Sequence, residues 1–113
     1  MDRRKDIIVS GGENISSLEV ENAILAHPGV LECAVVPAPN ETWGQVPAAI
    51  VVKRHGANLT AAGLLDFLDG RIARFKMPRR IEITLEPLPR TGTGKVCKLD
   101  LRERFWAGRA GRV

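Results

Sequence analysis

The sequence predicts an α+β domain: a small mixed sheet of about three strands with helices packed on it, preceded by a β-hairpin. Three observations carry this expectation. Short apolar, β-branched runs at Ile7-Ile8-Val9, Val30 to Val36 and Ala48 to Lys53 alternate with stretches of helical spacing. Glycine and proline punctuate them at Gly11-Gly12, Pro28-Gly29, residues 37–47 and Pro78. The length of 113 residues, with 44% hydrophobic and 27% charged side chains, suits one ordinary globular domain whose core is modest and leaves no room for a large enclosed active site.

The elements follow in order. Asp6 to Ser10 is a brief apolar run answered by Glu13-Asn14-Ile15, so a hairpin turning at Gly11-Gly12 opens the domain. Ser16-x-x-Glu19 has the form of a capping box, and Val20, Ala23, Ile24 and His27 recur at helical spacing, which predicts a helix from about 17 to 27. Val30 to Val36 reads as a buried strand with Leu31, Cys33 and Val35 on one face. Residues 37–47, PAPNETWGQVP, hold three prolines and read as a loop, and Ala48 to Lys53 as the antiparallel partner strand. A second helix starts near Thr60, with Leu64, Leu68 and Ile72 at i, i+4, i+8; Gly70 weakens it and Pro78 ends it. Arg80 to Thr84 alternates as a third strand, and a final helix runs from about Leu99 to Trp106.

Composition excludes several function classes. Cys33 and Cys97 lie far apart with no C-x-x-C and no nearby histidine pair, so neither a metal site nor a disulfide framework is indicated, and a reduced, cytoplasmic setting fits. Cys33 reads as a small buried apolar side chain, and His27 and His55 as a helix-end and a loop residue. The apolar run at Ala48 to Val52 is far short of the roughly 20 residues of a membrane span, and the N-terminus is no signal peptide. Charge is uneven: residues 1–70 hold five Lys/Arg against nine Asp/Glu, residues 71–113 twelve against four. The basic part would attract an anion. Nucleic acid is one candidate but not the expected partner, because Trp43, Phe67, Phe75, Phe105 and Trp106 are not interleaved with basic residues as base-stacking surfaces are; phosphates on a small molecule are consistent with the charge.

The stretch Pro-Arg-Thr-Gly-Thr-Gly-Lys-Val, residues 89–96, carries the sharpest chemical suggestion. A glycine-rich segment ending in lysine can gather backbone N–H groups and an ammonium around phosphate. The nucleotide P-loop does not fit, since it needs glycine where Pro89 stands and a hydroxyl residue where Val96 stands. Two readings stay open on the residues alone: a turn that delivers the Lys95 cation to a site built elsewhere, and a hairpin tip with a solvated lysine.

Seven stretches in one order, D-R-R-K-D (2–6), S-G-G-E-N-I (10–15), L-E-V-E (18–21), H-P-G-V (27–30), W-G-Q (43–45), F-K-M-P-R (75–79) and L-P-R-T-G-T-G-K-V (88–96), resemble the small C-terminal domain of the adenylate-forming acyl-CoA synthetases. The resemblance covers residues 2–106 and leaves a tail, 107–113. It implies part of an enzyme that uses ATP and Mg²⁺ to make an acyl-adenylate from a carboxylic acid, then passes the acyl group to CoA. The large N-terminal domain, with the nucleotide and acid pockets, would be the partner, and the chain alone is expected to be inactive. By the same resemblance Lys95 is the adenylation lysine and Lys5 the hinge about which the small domain rotates. Gly11 and Gly12 would face the adenylate and the phosphopantetheine arm in the second pose, with Trp43 and Phe75 as aromatic contacts to CoA and Arg79 as a cation for its phosphates. Met77 stands where some relatives carry a basic residue, a departure that touches those phosphate contacts. The G-G-E-N form favours ligases of fatty or aromatic acids.

Each role has a plainer rival. Lys5 could be a surface charge, Gly11-Gly12 mere turn glycines, Trp43 a lid over the core, and Phe75, three residues after Ile72, a core side chain. The alternative function is a freestanding binding or regulatory module that docks on a separate large domain or holds CoA.

Overall fold

The computed structural model describes residues 7–110, with side chains through Trp106. The hairpin of β1 (Ile7–Ser10) and β2 (Glu13–Ser16) is followed by α1 (Ser17–Leu25), the long strands β3 (Val30–Asn40) and β4 (Gly44–Lys53), α2 (Ala61–Leu68), β5 (Arg80–Thr84) and α3 (Lys98–Ala110). The expected α+β class is observed, with five strands in one sheet rather than three beside a separate hairpin. The order is β2-β1-β4-β3, and β5 pairs in parallel with β4. The hairpin joins through Ser10 opposite Gly44, and the side chain of Gln45 extends that junction by accepting the Val9 N–H at 3.0 Å.

β4 is central and covered on both faces, which is why β3 and β4 read as continuous apolar runs. On one face Val35, Ala49 and Val51 pack with Ile8, Ile15, Val20 and Ile24 and with Leu64 and Leu68 of α2. On the other, Ala34, Val36, Ala38, Val46, Ala48, Ile50 and Val52 pack with Leu88 and with Leu101 and Phe105 of α3. Burying each such Leu, Ile or Val contributes about 1.5–3 kcal/mol, so three layers are held by both sides of one sheet.

Local chemistry sets the helix starts. Ser16 caps α1, its hydroxyl accepting the Glu19 N–H, and Thr60 caps α2 through the Gly63 N–H. The capping box is half made, because the Glu19 carboxylate turns instead to Lys76 at 2.8 Å. α1 stops at Leu25, short of the expected 27, and His27 Nδ1 accepts the Gly29 N–H at 2.9 Å as the chain turns. α2 ends at Leu68 because Asp69 is extended and Gly70 left-handed; Ile72 still packs on the core, but as loop rather than helix.

Two further expectations are corrected. Residues 37–47 are not a loop: β3 continues to Asn40 and β4 begins at Gly44, with Pro37 opposite Pro47. Pro37 and Pro39 are tolerated because β3 is the sheet edge, and Pro47 of β4 because the ladder with β5 begins only at Ala48. Pro37 and Pro47 face each other as a pair whose polar groups point outward; the Pro37 carbonyl accepts from Trp106 Nε1 at 2.8 Å and the Pro47 carbonyl from the Arg79 N–H at 2.9 Å. Leu31 does not share the face of Cys33 and Val35, because a bulge between Val30 and Glu32 turns it out to 51% exposure.

Candidate functional site

Leu88 roots the segment 88–97 in the core beneath α3. From there the chain forms a narrow two-stranded arm. Cys97 N–H donates to the Pro89 carbonyl at 2.8 Å, Arg90 pairs with Val96, Thr91 N–H donates to the Lys95 carbonyl at 2.8 Å, and Gly94 N–H donates to the Thr91 carbonyl at 2.9 Å. This is a three-residue hairpin loop whose last member must be left-handed, and Gly94, at φ 88°, takes that place. A Cβ on Gly94 would meet nothing within 4 Å, so the position needs glycine for its backbone angle and not for room. Lys95 follows directly and is exposed, and no described side chain pairs with its ammonium.

The other predicted residues gather at a second place. Gly11 and Gly12, at φ 57° and 85°, form a two-residue turn between Ser10 and Glu13, the geometry that needs positive φ twice. Gly11 also lacks room for a side chain: a Cβ would lie 2.3 Å from Trp43 Cε3, while Gly12 faces open space. The Gly11 N–H donates to the Trp43 carbonyl at 2.8 Å. Trp43 is aimed by Asn40, whose Oδ1 accepts the N–H groups of Thr42 and Trp43 at 2.9 Å each. The Arg79 guanidinium stands 5.4 Å from the Trp43 ring centroid. Trp43 is 42% exposed and lies on the hairpin, outside both core clusters, so it is not a lid over the core.

Phe75 is not part of that cluster of contacts. It sits on a short 3-10 turn, Arg74–Lys76, 43% exposed, with the Lys76 ammonium 5.6 Å from its ring, and the core role weighed for it is not observed. Met77 packs against the core beside buried Pro78, so it is a structural side chain. Lys5 lies outside the described residues. His27 meets Phe67 edge-on at 4.8 Å, a packing contact. Burial first, and the Glu21 carboxylate second, push the Cys33 thiol up to about 12, the behaviour of an inert structural cysteine.

The two places lie at opposite ends of β3. Glu32, near its start, accepts the Leu88 N–H and ion-pairs with Arg90, which anchors the Lys95 arm; Asn40, at its end, holds Trp43. Eight residue steps along the strand separate the two anchors, about 26 Å at ~3.3 Å per residue.

Sequence reasoning missed the ion pairs that join the acidic first part to the basic last part. Glu19 meets Lys76, Glu32 meets Arg90, and Glu21 meets Lys98 at 2.7 Å. Part of the charge imbalance is therefore internal complementarity. Glu32, a charge inside an apolar edge strand, was the available signal. Among the described residues no group of three or more His, Cys, Asp or Glu could hold a metal ion, and no helix is long and apolar enough to cross a membrane.

The pattern of the AMP-binding enzyme C-terminal domain matches residues 19–95, from α1 to the lysine at the end of the arm. The chain is 52% identical over 102 residues to a peroxisomal trans-cinnamate:CoA ligase of Petunia hybrida, covering 90% of this chain and 18% of that protein. It is 46% identical over 105 residues to a feruloyl-CoA synthase of Amycolatopsis sp, covering 93% of this chain and 21% of that one. The crystal structure of ATP-bound MatB from Rhodopseudomonas palustris superposes with a TM-score of 0.86 at 40% identity, over 90% of this chain and 20% of that one. The chain thus spans about a fifth of the length of the relatives it matches.

Proposed function

The chain belongs to the AMP-binding enzyme C-terminal domain family, and from that premise we propose that it is the small, rotating domain of an ATP-dependent acid–CoA ligase. The complete enzyme joins a carboxylic acid to AMP with release of pyrophosphate, then exchanges AMP for the thiol of CoA. The large domain that makes up the rest of the relatives' length would hold ATP, Mg²⁺ and the acid, and would be the partner of this chain. The chain alone would be inactive.

The observation that carries the proposal is the placement of two sets of exposed groups at opposite ends of one strand, the Lys95 arm beside Glu32 and the Gly11–Trp43–Arg79 cluster beside Asn40. A body built this way presents one set or the other to a neighbouring site, depending on its rotation. In the first pose Lys95 serves the adenylation step. Attack of the carboxylate on the α-phosphorus builds negative charge on the phosphoryl oxygens, and an ammonium held in place lowers the energy of that charge. In the second pose, reached by rotation about Lys5, Lys95 departs and the Gly11-Gly12 turn faces the adenylate. Its lack of side chains gives a narrow thiol arm access along the backbone, and Trp43, Phe75 and Arg79 offer aromatic and cationic contacts to CoA. A reducing compartment such as the cytoplasm suits the free thiols of Cys33 and Cys97.

The test is Lys95→Ala in the complete ligase. Acyl-adenylate formation should fall about 10²–10³-fold, the loss seen when one transition-state charge partner is removed, while thioester formation from preformed adenylate continues. Equal loss in the two steps would contradict the role.

A further inference from the structure

Lys95 is not carried on a loose loop; the arm that bears it is fastened at both feet. At the leading foot one Glu32 oxygen accepts the Leu88 N–H at 3.3 Å and the other ion-pairs with Arg90. The Arg90 guanidinium also donates to the Gly94 carbonyl at 3.0 Å, the carbonyl of the peptide bond that enters Lys95. At the trailing foot Lys98 reaches the Glu21 carboxylate at 2.7 Å and the Ser17 hydroxyl at 3.3 Å, and Glu21 in turn accepts the Val35 N–H of β3 at 2.8 Å. Both carboxylates belong to the β3 edge or to the helix beside it. Between the feet, residues 91–95 are exposed.

From this we infer that Glu32 and Arg90 are positioning residues for Lys95: the carboxylate holds the guanidinium against the sheet, and the guanidinium fixes the Gly94–Lys95 peptide so that the ammonium is presented in one orientation. The inference rests on the adenylation role proposed for Lys95. The planar fork of arginine is suited to it, because one nitrogen faces the carboxylate while another faces the carbonyl at a fixed angle; the lysine ammonium is a point charge on a flexible stem and fixes no such angle. A preoriented cation loses less on reaching the transition state than one that must first be ordered.

Two measurements test it. In the 113-residue chain, backbone order parameters should fall at Gly94 and Lys95 on Glu32→Gln or Arg90→Lys, from about 0.85 toward 0.6, with Ile50 and Val51 unchanged. Unchanged values at Gly94 and Lys95, or an equal fall at Ile50 and Val51, would overturn it. In the complete ligase the same variants should lower kcat for adenylation about tenfold, leave KM for ATP in place and spare the thioester step. Loss in both steps together would mark a merely structural pair and also overturn the inference. If Lys95→Ala cripples adenylation but Glu32→Gln does not, the positioning role fails and the Lys95 role stands. If Lys95→Ala leaves adenylation intact, the Lys95 role fails, and the order parameters alone decide whether the clamp exists.

Discussion

The Lys95 arm and the Gly11 hairpin both turn on a glycine with positive φ, yet the two are built for different tasks. At Lys95 the glycine stands in open space, and the tip is steadied by charge, through Glu32, Arg90, Glu21 and Lys98. At Gly11 the glycine is pressed under an indole, and the tip is steadied by contact with Trp43 and by the Gln45 side chain. The first arrangement holds a single cation out from the body. The second leaves a flat, uncharged backbone surface with an aromatic wall and one arginine beside it. In the proposed function the first would meet charge on a phosphoryl group and the second the passage of a slender thiol arm, with their separation along β3 keeping the two apart.

The comparison breaks most visibly at the proposed hinge. Lys5→Pro in the complete ligase should slow thioester formation on the order of a hundredfold by blocking the change of pose, with adenylation spared; unaffected thioester formation would remove the rotation from the account. Next comes Gly11→Ala, which combines a left-handed alanine with a clash against Trp43 and should cost about 2–4 kcal/mol by urea unfolding. Trp43→Ala should restore part of that loss in the double variant, because the clash partner is gone; simple additivity would show that the indole contact does not matter.

Much of the local structure was legible in the sequence because its causes are local. The Gly11-Gly12 hairpin, the cap at Ser16, the start of α2 near Thr60 and the start of α3 each follow from residues within a turn or two of one another. What was missed depends on distant partners. Prolines at 37, 39 and 47 signal a loop to any local reading; the edge position of β3, with Trp106 arriving from 69 residues away, makes a strand acceptable at 37 and 39, and the start of the β4–β5 ladder at Ala48 makes one acceptable at 47. The bulge that expels Leu31 belongs likewise to the pairing of β3 with β4. At the candidate site, Lys95, Gly11, Gly12, Trp43 and Arg79 were named from the sequence, but the Glu32–Arg90 link spans 58 residues and no spacing rule reveals it.

Two smaller effects sharpen the contrast. Cys33 donates to the Glu21 carbonyl beneath the Lys98 clamp, and its thiol is pushed from an ordinary 9.0 up to about 12 by burial and then by Glu21. Between pH 9 and 12 the folded chain keeps a proton that the unfolded chain releases, so stability falls as pH rises through that window, by at most about 1.4 kcal/mol per unit. Below pH 9 this group has no effect. Cys33→Ala should flatten the decline between urea unfolding curves at pH 8 and pH 10.5, and parallel declines in the two proteins would contradict the assignment. Smallest is Gly12→Ala, which pays only for its left-handed angle, about 1 kcal/mol. A loss equal to that of Gly11→Ala would mean that the two turn glycines are not distinguished by Trp43.

The central claim, that the two ends of β3 serve the two steps separately, is tested most directly by measuring both half-reactions in one complete ligase carrying either Lys95→Ala or Trp43→Ala. The account predicts a crossed result: Lys95→Ala loses adenylation and keeps thioester formation, while Trp43→Ala keeps adenylation and raises KM for CoA about three- to tenfold, the weight of one aromatic contact. If either substitution damages both half-reactions to the same degree, the two ends are not separate tools and the account is wrong.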